Sequence, residues 1–299
     1  MPTSLKRLWM PLLALFLAAW CAAADPLPRS AQDPARNVRF GLASPARPDP
    51  AQREDYLIQR PQYTLSYNAK TKRANWVSWV LTKADIGHAS RGPFTPDPLL
   101  PKGFTRITSQ VYNNSGFDRG HMCPAKDRSA TQEDCDATFR MTNVVPQSPA
   151  SNQKAWERLE SYCRDLALRG HELDIVCGPN GVGGEGKLGR RDEIGRGRMR
   201  VTVPHELWKV ILVLPHEGAE PRKNTRVIGV IMPNDQSVDF NWAKYRVSAA
   251  AVEKLTGYTF FRNVPEDVAA ALKDDVDDVE VRVKSSRQHG SNKRKKKSD

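Results

Sequence analysis

The chain has 299 residues, with 46 Lys and Arg against 34 Asp and Glu, six His, five Cys and a formal net charge of +12. No apolar run is long enough for a membrane-spanning helix, which excludes a helical multi-span protein, while the length suffices for one sizeable core. The positive charge is concentrated at the two ends: residues 1 to 24 carry two cations, and residues 284 to 299 carry seven cations against Asp299, leaving +4 for residues 25 to 283. Bulk charge is therefore weak evidence for a nucleic-acid partner, and any such claim must rest on a site.

Residues 1 to 24 place Lys6 and Arg7 before an apolar run from Pro11 to Trp20 and a Cys-Ala-Ala-Ala end. This pattern predicts a secretory signal cleaved after Ala24, and hence an exported protein, periplasmic or secreted. Cys21 opens a lipoprotein alternative, the one route by which the chain would be held at a membrane. Residues 25 to 54 are rich in Pro, Arg and Asp and read as a flexible lead-in. From Tyr56 the composition becomes globular, which predicts one domain over 55 to 272.

Within that domain, Tyr63 to Tyr67 and Trp76 to Leu81 read as strands joined by the turn Asn68 to Lys72. Asn152 to Leu168 reads as a helix, with Trp156, Leu159 and Cys163 at helical spacing. Val201 to Val203, Trp208 to Leu214 and Val227 to Met232 are further β-rich segments, and Ser248 to Thr256 suits a helix ended by Gly257. Strands outnumber helices without regular alternation, so the fold class is α+β.

The segment Gly178 to Gly197 holds eight glycines, and Gly181 to Lys187 fits Gly-x-x-x-x-Gly-Lys. Leu188 stands where a nucleotide-binding loop needs Ser or Thr, which excludes that reading. Lys187, Arg190 and Arg191, with Arg196 and Arg198, either border a polynucleotide groove or form a solvated loop. His205-Glu206 opens a zinc-protease pattern that Lys209 breaks. Beyond the signal, Cys123, Cys135, Cys163 and Cys177 predict two disulfides in an exported chain. Three pairings are open, with local loop closure favouring Cys123 with Cys135 and Cys163 with Cys177. Residues 273 to 299 run from an acidic cluster into NKRKKK and read as a disordered tail that either captures nucleic acid or merely solubilises.

Residues 117 to 160 concentrate the chemistry. Asp118, Arg119 and His121 fall within four positions, followed by Asn143, Gln147, Asn152, Trp156 and Glu160. Hydrolysis of a phosphodiester needs a base for water, a cation on the phosphoryl oxygens and stabilisation of the leaving oxygen. His121 suits the first role, since an imidazole of ordinary pKa, about 6.5, is largely neutral at pH 7. Arg119 suits the second as a planar, permanently charged fork. A divalent ion suits the third, and the oxygen donors of Asn152 and Glu160 favour Mg²⁺ over zinc, with Mn²⁺ as a substitute. On a regular helix those two residues stand about 12 Å apart along the axis. Either Asn152 folds back ahead of the helix, or Glu160 acts through a water of the ion's shell.

These motifs carry a resemblance. Asp118 to His121 matches the DRGH motif of the sugar-nonspecific DNA/RNA endonucleases of the ββα-metal class, which include mitochondrial endonuclease G. Asn143 to Glu160 matches that family's Asn-x-x-Pro-Gln…Asn-x-x-x-Trp-x-x-Leu-Glu run, and similar segments extend the likeness over about 55 to 272. The resemblance implies a central antiparallel sheet flanked by helices, with a catalytic ββα unit on one face. It implies Asn152 as the protein ligand of the metal, Glu160 behind the ion's water shell, and Arg91 near the scissile phosphate. Asp118 reads as an orienter of its neighbours, and Asn143 and Gln147 as supports. Cys123 departs from the small or hydroxyl residue expected two positions after the family's His. DNA and RNA are the implied substrates, and a homodimer is compatible with the sequence. A catalytically silent nucleic-acid binder on the same scaffold is the competing reading, against which His121, Arg119, Asn152 and Glu160 are all retained.

Overall fold

The computed structural model describes residues 33 to 281. The predicted signal, Cys21, the first part of the lead-in and the basic end of the tail lie outside the described residues. In chain order, β1 (Tyr56–Gln59), β2 (Thr64–Asn68) and β3 (Arg73–Leu81) precede β4 (Asp118–His121), the short helix α1 (Gln132–Ala137) and β5 (Val144–Gln147). Helix α2 (Glu157–Leu168) leads into β6 (Glu172–Asn180), and the small strands β7 (Gly184–Gly186), β8 (Gly189–Arg191), β9 (Glu193–Ile194) and β10 (Val201–Thr202) follow. The chain then forms β11 (Glu206–Leu214), β12 (Arg226–Pro233), β13 (Arg246–Val247), α3 (Ala249–Thr256) and α4 (Glu266–Asp274).

Seven strands form one sheet in the order β1-β2-β3-β6-β11-β12-β13, antiparallel throughout. The predicted strands and helices fall on these elements, and the fold is the expected α+β. The long central strands are nearly all buried because both faces of the sheet are covered. Alternation along β11 sends Leu207 and Ile211 to one core and Trp208, Val210 and Leu212 to the other. The first core packs Trp79 and Ile175 against Trp156, Leu159 and Cys163 of α2 and its approach. The second packs Trp76 against Ala249 and Val252 of α3 and Ala269 and Leu272 of α4. Ser248 caps α3 by accepting from Ala251 N at 3.2 Å, and Gly257 closes it in the left-handed region at φ 74°, as the sequence predicts.

Three expectations are corrected. The lead-in is ordered from Asp33 onward: Asn37 is buried and bonds Arg60 O and Pro61 O at 3.0 and 3.1 Å, Ser44 accepts from Trp76 Nε1 at 2.8 Å, and Phe40, Ala43 and Ala46 join the second core. Its few apolar residues suffice because each lands on a sheet face that would otherwise be wet. The tail does not begin at 273. Asp274 ends α4, and Asp277, with its side chain 1% exposed, pairs with Arg226 at 2.7 Å and Arg246 at 3.2 Å. The four cysteines are free. Cys123, Cys163 and Cys177 belong to the first core, whereas Cys135 lies in a separate cluster with Phe139 and donates to Ser90 O at 3.4 Å, so neither predicted bridge forms. Among the described residues, no helix is long and apolar enough to cross a membrane.

Candidate active site

Outside the main sheet, β4 and β5 form their own antiparallel pair, with Asp118 opposite Gln147, Gly120 opposite Val145 and His121 opposite Val144. The chain then winds through a π-helical segment, Ser151–Trp156, directly into α2. The result is a ββα unit seated on the first core through Val145, Trp156 and Leu159. Its two strands approach closely at Gly120: a Cβ there would collide with Gln147 Oε1 and stand 2.6 Å from Gln147 Cβ. Glycine is required at that position by contact, and the buried Gln147 props the strand in place.

The polar residues of the unit hold one another. Asn143 fixes the chain after His121: its Oδ1 accepts from Cys123 N, and its Nδ2 donates to Cys123 O and Thr138 O, each at 2.9 Å. Asp118 Oδ2 accepts from Asn152 Nδ2 at 2.9 Å and from Gln153 Nε2 at 2.7 Å. With its amide nitrogen so engaged, Asn152 has its carbonyl oxygen free to serve as a donor to a cation. Arg119 donates through Nη2 to Ser109 O at 2.9 Å and to Asn113 Oδ1 at 2.5 Å, which sets the plane of its guanidinium.

His121 is 8% exposed and wedged between two rings, 5.2 Å from Phe94 and 4.8 Å edge-on from Phe139. Its Nε2 has no hydrogen-bond partner among the described residues. Burial first, then the charge of Arg91, push its imidazole down to about 3, so the ring is neutral at pH 7. Arg91 itself is exposed and lies over the other ring contact, 5.1 Å from the Phe139 centroid. Burial lifts the Glu160 carboxyl to about 7, against the opposing pull of Lys209 and Arg164. Lys209, noted in the sequence only for breaking a zinc pattern, is buried between Trp156 at 4.2 Å and Trp79 at 5.4 Å.

One cavity of about 290 Å³ gathers Arg91, Arg119, His121, Asn152 and Glu160. Asn152 lies in the π-helical segment that runs directly into α2 and does not fold back ahead of the helix, and both it and Glu160 line this cavity. The cavity is also lined by Lys126, Gln153, Glu157 and Arg164, which the sequence reading missed. Arg164 had a signal, its position one helical turn after Glu160; it pairs with buried Asp127 at 3.0 Å and with Glu157 at 3.8 Å. Phe94 and Phe139 had none, because their contact with His121 is made across loops. Lys187 and Arg190 are exposed on the β7-β8 hairpin and do not line this cavity, whereas Arg191 lines a neighbouring cleft.

The donor set fits a hard divalent cation held largely by water. Among the described residues no three His, Cys, Asp or Glu side chains cluster as a metal cage, and the cavity offers oxygen donors in small number. A neutral base, two guanidinium groups and an oriented amide around one cavity suit hydrolysis of a phosphoester.

Comparison with known proteins agrees. The model of the DNA/RNA non-specific endonuclease family matches residues 45 to 267. A nuclease of Nostoc sp. is 40% identical over 272 residues, covering 89% of this chain and 96% of its own. The mitochondrial endonuclease G of Bos taurus is 31% identical over 272 residues, covering 88% of this chain and 84% of its own. A crystal structure of EndoG in complex with EndoGI superposes with a TM-score of 0.63 at 24% identity, over 79% of this chain and 94% of that one.

Proposed function

We propose, for a chain that belongs to the DNA/RNA non-specific endonuclease family, that Mg²⁺-assisted phosphodiester hydrolysis proceeds with His121 as general base. As a member of that family the protein is a nuclease, a hydrolase acting on nucleic acids, on a ββα-metal fold. The observation that carries the reading is the convergence of neutral His121 with Arg91, Arg119, Asn152 and Glu160 on one cavity. His121 takes a proton from water as the water oxygen bonds to phosphorus and the bond to the leaving oxygen breaks. Arg119, and Arg91 beside it, hold the non-bridging oxygens as their charge builds. A phosphate held there also offsets the Arg91 charge, the smaller of the two causes that depress His121 after burial itself, and so raises its basicity in part when substrate is bound. Asn152 and, through water, Glu160 would hold a divalent cation, which supplies charge stabilisation to the phosphoryl and leaving oxygens. Mn²⁺ meets the same oxygen chemistry.

Incubation with plasmid and with structured RNA, with and without chelator, tests the reading. Cleavage of both is expected with Mg²⁺ and not with chelator, and His121→Ala should lower turnover by roughly 10² to 10⁴-fold while leaving binding nearly intact. Near-normal cleavage by His121→Ala would overturn the assignment. Export is part of the same proposal, resting on residues 1 to 24; a mature N-terminus at Asp25, measured by mass spectrometry, is the expected result.

A further inference from the structure

Beside the catalytic cavity lies a larger cleft of about 820 Å³ between the loop 108 to 115 and the segment 191 to 199. Its walls carry the amides of Gln110, Asn113 and Asn114 and the guanidinium groups of Arg191 and Arg196, all exposed. The acid on the rim, Glu193, is paired with Arg200 at 3.5 Å, so the cleft keeps a positive balance. Its base is the small core of Ile107, Tyr112, Ile194 and Val201, which also takes in Val144 of β5. The cleft is thus preformed on the ββα unit itself. Gly195, at φ 85°, lets the two walls meet, since a Cβ there would stand 2.8 Å from Val111 Cγ1.

Two contacts tie this cleft to the site of chemistry. The Asn113 amide that lines it is the group that accepts from Arg119 Nη2. The β7-β8 hairpin, which brings Arg191 to the rim, is anchored by Lys187 N donating to Gly116 O at 2.9 Å, two residues before β4. A strand whose scissile phosphate sits against Arg119 therefore meets Asn113 next and enters the cleft after it.

We propose that this cleft is a second binding site, which holds the sugar-phosphate backbone of the substrate strand beyond the cut. Side-chain amides and guanidinium groups are donors to phosphate oxygens and carry no base preference, so the site extends the grip on a polynucleotide without adding sequence specificity. The assignment deepens the nuclease reading and rests on it for the direction of the strand. It also selects among the loop cations: Arg191 and Arg196 belong to the track, and Lys187 and Arg190 do not line it.

Equilibrium binding of single-stranded oligonucleotides to the full chain in chelator, which stops cleavage, tests the proposal. For a strand of about 20 nucleotides, the double variant Arg191→Ala, Arg196→Ala should raise Kd roughly tenfold and reduce the salt slope by about 1.4, two contacts at about 0.7 each. For a strand of about four nucleotides, which the catalytic cavity alone can engage, the loss should be several-fold smaller. Arg191→Lys with Arg196→Lys should restore the slope, because it keeps the charge. An unchanged slope, or an equal loss on both lengths, overturns the track. Near-normal cleavage by His121→Ala, in contrast, overturns the catalytic reading and leaves this binding result standing.

Discussion

His121 has its base strength set by packing: two aromatic rings and a nearby guanidinium leave the charged imidazole without solvation or partner. An unfolded histidine titrates near 6.5, so between that pH and about 3 the unfolded chain binds a proton that the folded chain refuses. Stability from this group is therefore lost as pH falls through that window. Wild type should lose unfolding free energy relative to His121→Asn between pH 7 and pH 4, measured by urea midpoints. An NMR titration of the imidazole in metal-free protein should show its inflection well below 6.5, and Arg91→Ala should move it upward by removing the like charge. Asn152 is governed by its partner Asp118. Asp118→Ala frees the amide to turn, so Mg²⁺ affinity measured by calorimetry should fall about 10 to 100-fold, as expected for a lost support of a ligand. Asn152→Ala should fall further than Glu160→Ala, since it removes the proposed direct donor; equal metal affinity in all three variants would move the ion site elsewhere.

The strands that carry these residues differ in how legible they were. β3, β11 and β12 announce themselves by dense Val, Ile, Leu and Trp, because a sheet buried on both faces demands them, whereas β6, with Glu172, Asp174 and Gly178-Pro179 among its apolar residues, is not among the strands that the sequence predicts. β4 is Asp-Arg-Gly-His, four residues chosen for contact and chemistry, and it carries no strand signal; only the resemblance placed it in a ββα unit. The π turn likewise has no composition of its own, so the sequence did not show that Asn152 sits in a helical segment continuous with α2. The cysteine count argued from compartment, and compartment says nothing about which elements bring sulfur atoms together. Gly120 is where the pairing of β4 and β5 can be tested. Gly120→Ala forces Gln147 off the strand, and overpacking of this kind costs about 1 to 3 kcal/mol. Urea unfolding should report that loss, and turnover should fall with it because His121 is the next residue. Unchanged stability would mean that Gln147 has room to move.

The molecule as a whole divides its charge between a nearly balanced body and a basic end, and the pairs of Asp277 show that the body reaches past α4. Lys284, Arg287 and the cations from Lys293 to Lys297 follow the last described residue, Val281. The acidic run before them is partly structural, since Asp277 satisfies Arg226 and Arg246 beside Tyr162 and Trp242. A chain ending at Leu272 would take the Asp277 carboxylate from both guanidinium groups, leaving Arg226 only its bond to the Tyr162 hydroxyl, at a cost on the order of 1 to 3 kcal/mol for lost bonds to a buried charge. A chain ending at Val281 would keep those pairs and remove eight cations, Arg282 included, against the single acid Asp299. Each cation that meets a phosphate releases counterions, which adds affinity and salt sensitivity without touching the catalytic cavity. The chain ending at Val281 should therefore match the full chain in unfolding free energy and in kcat at saturating substrate, while its KM rises and depends less steeply on salt. The chain ending at Leu272 should show the same kinetic change with an added loss of stability. Equal salt slopes for the full chain and the chain ending at Val281 would reduce the basic end to a solubilising segment, and would leave the cleft between Asn113 and Arg196 as the main source of affinity beyond the cut.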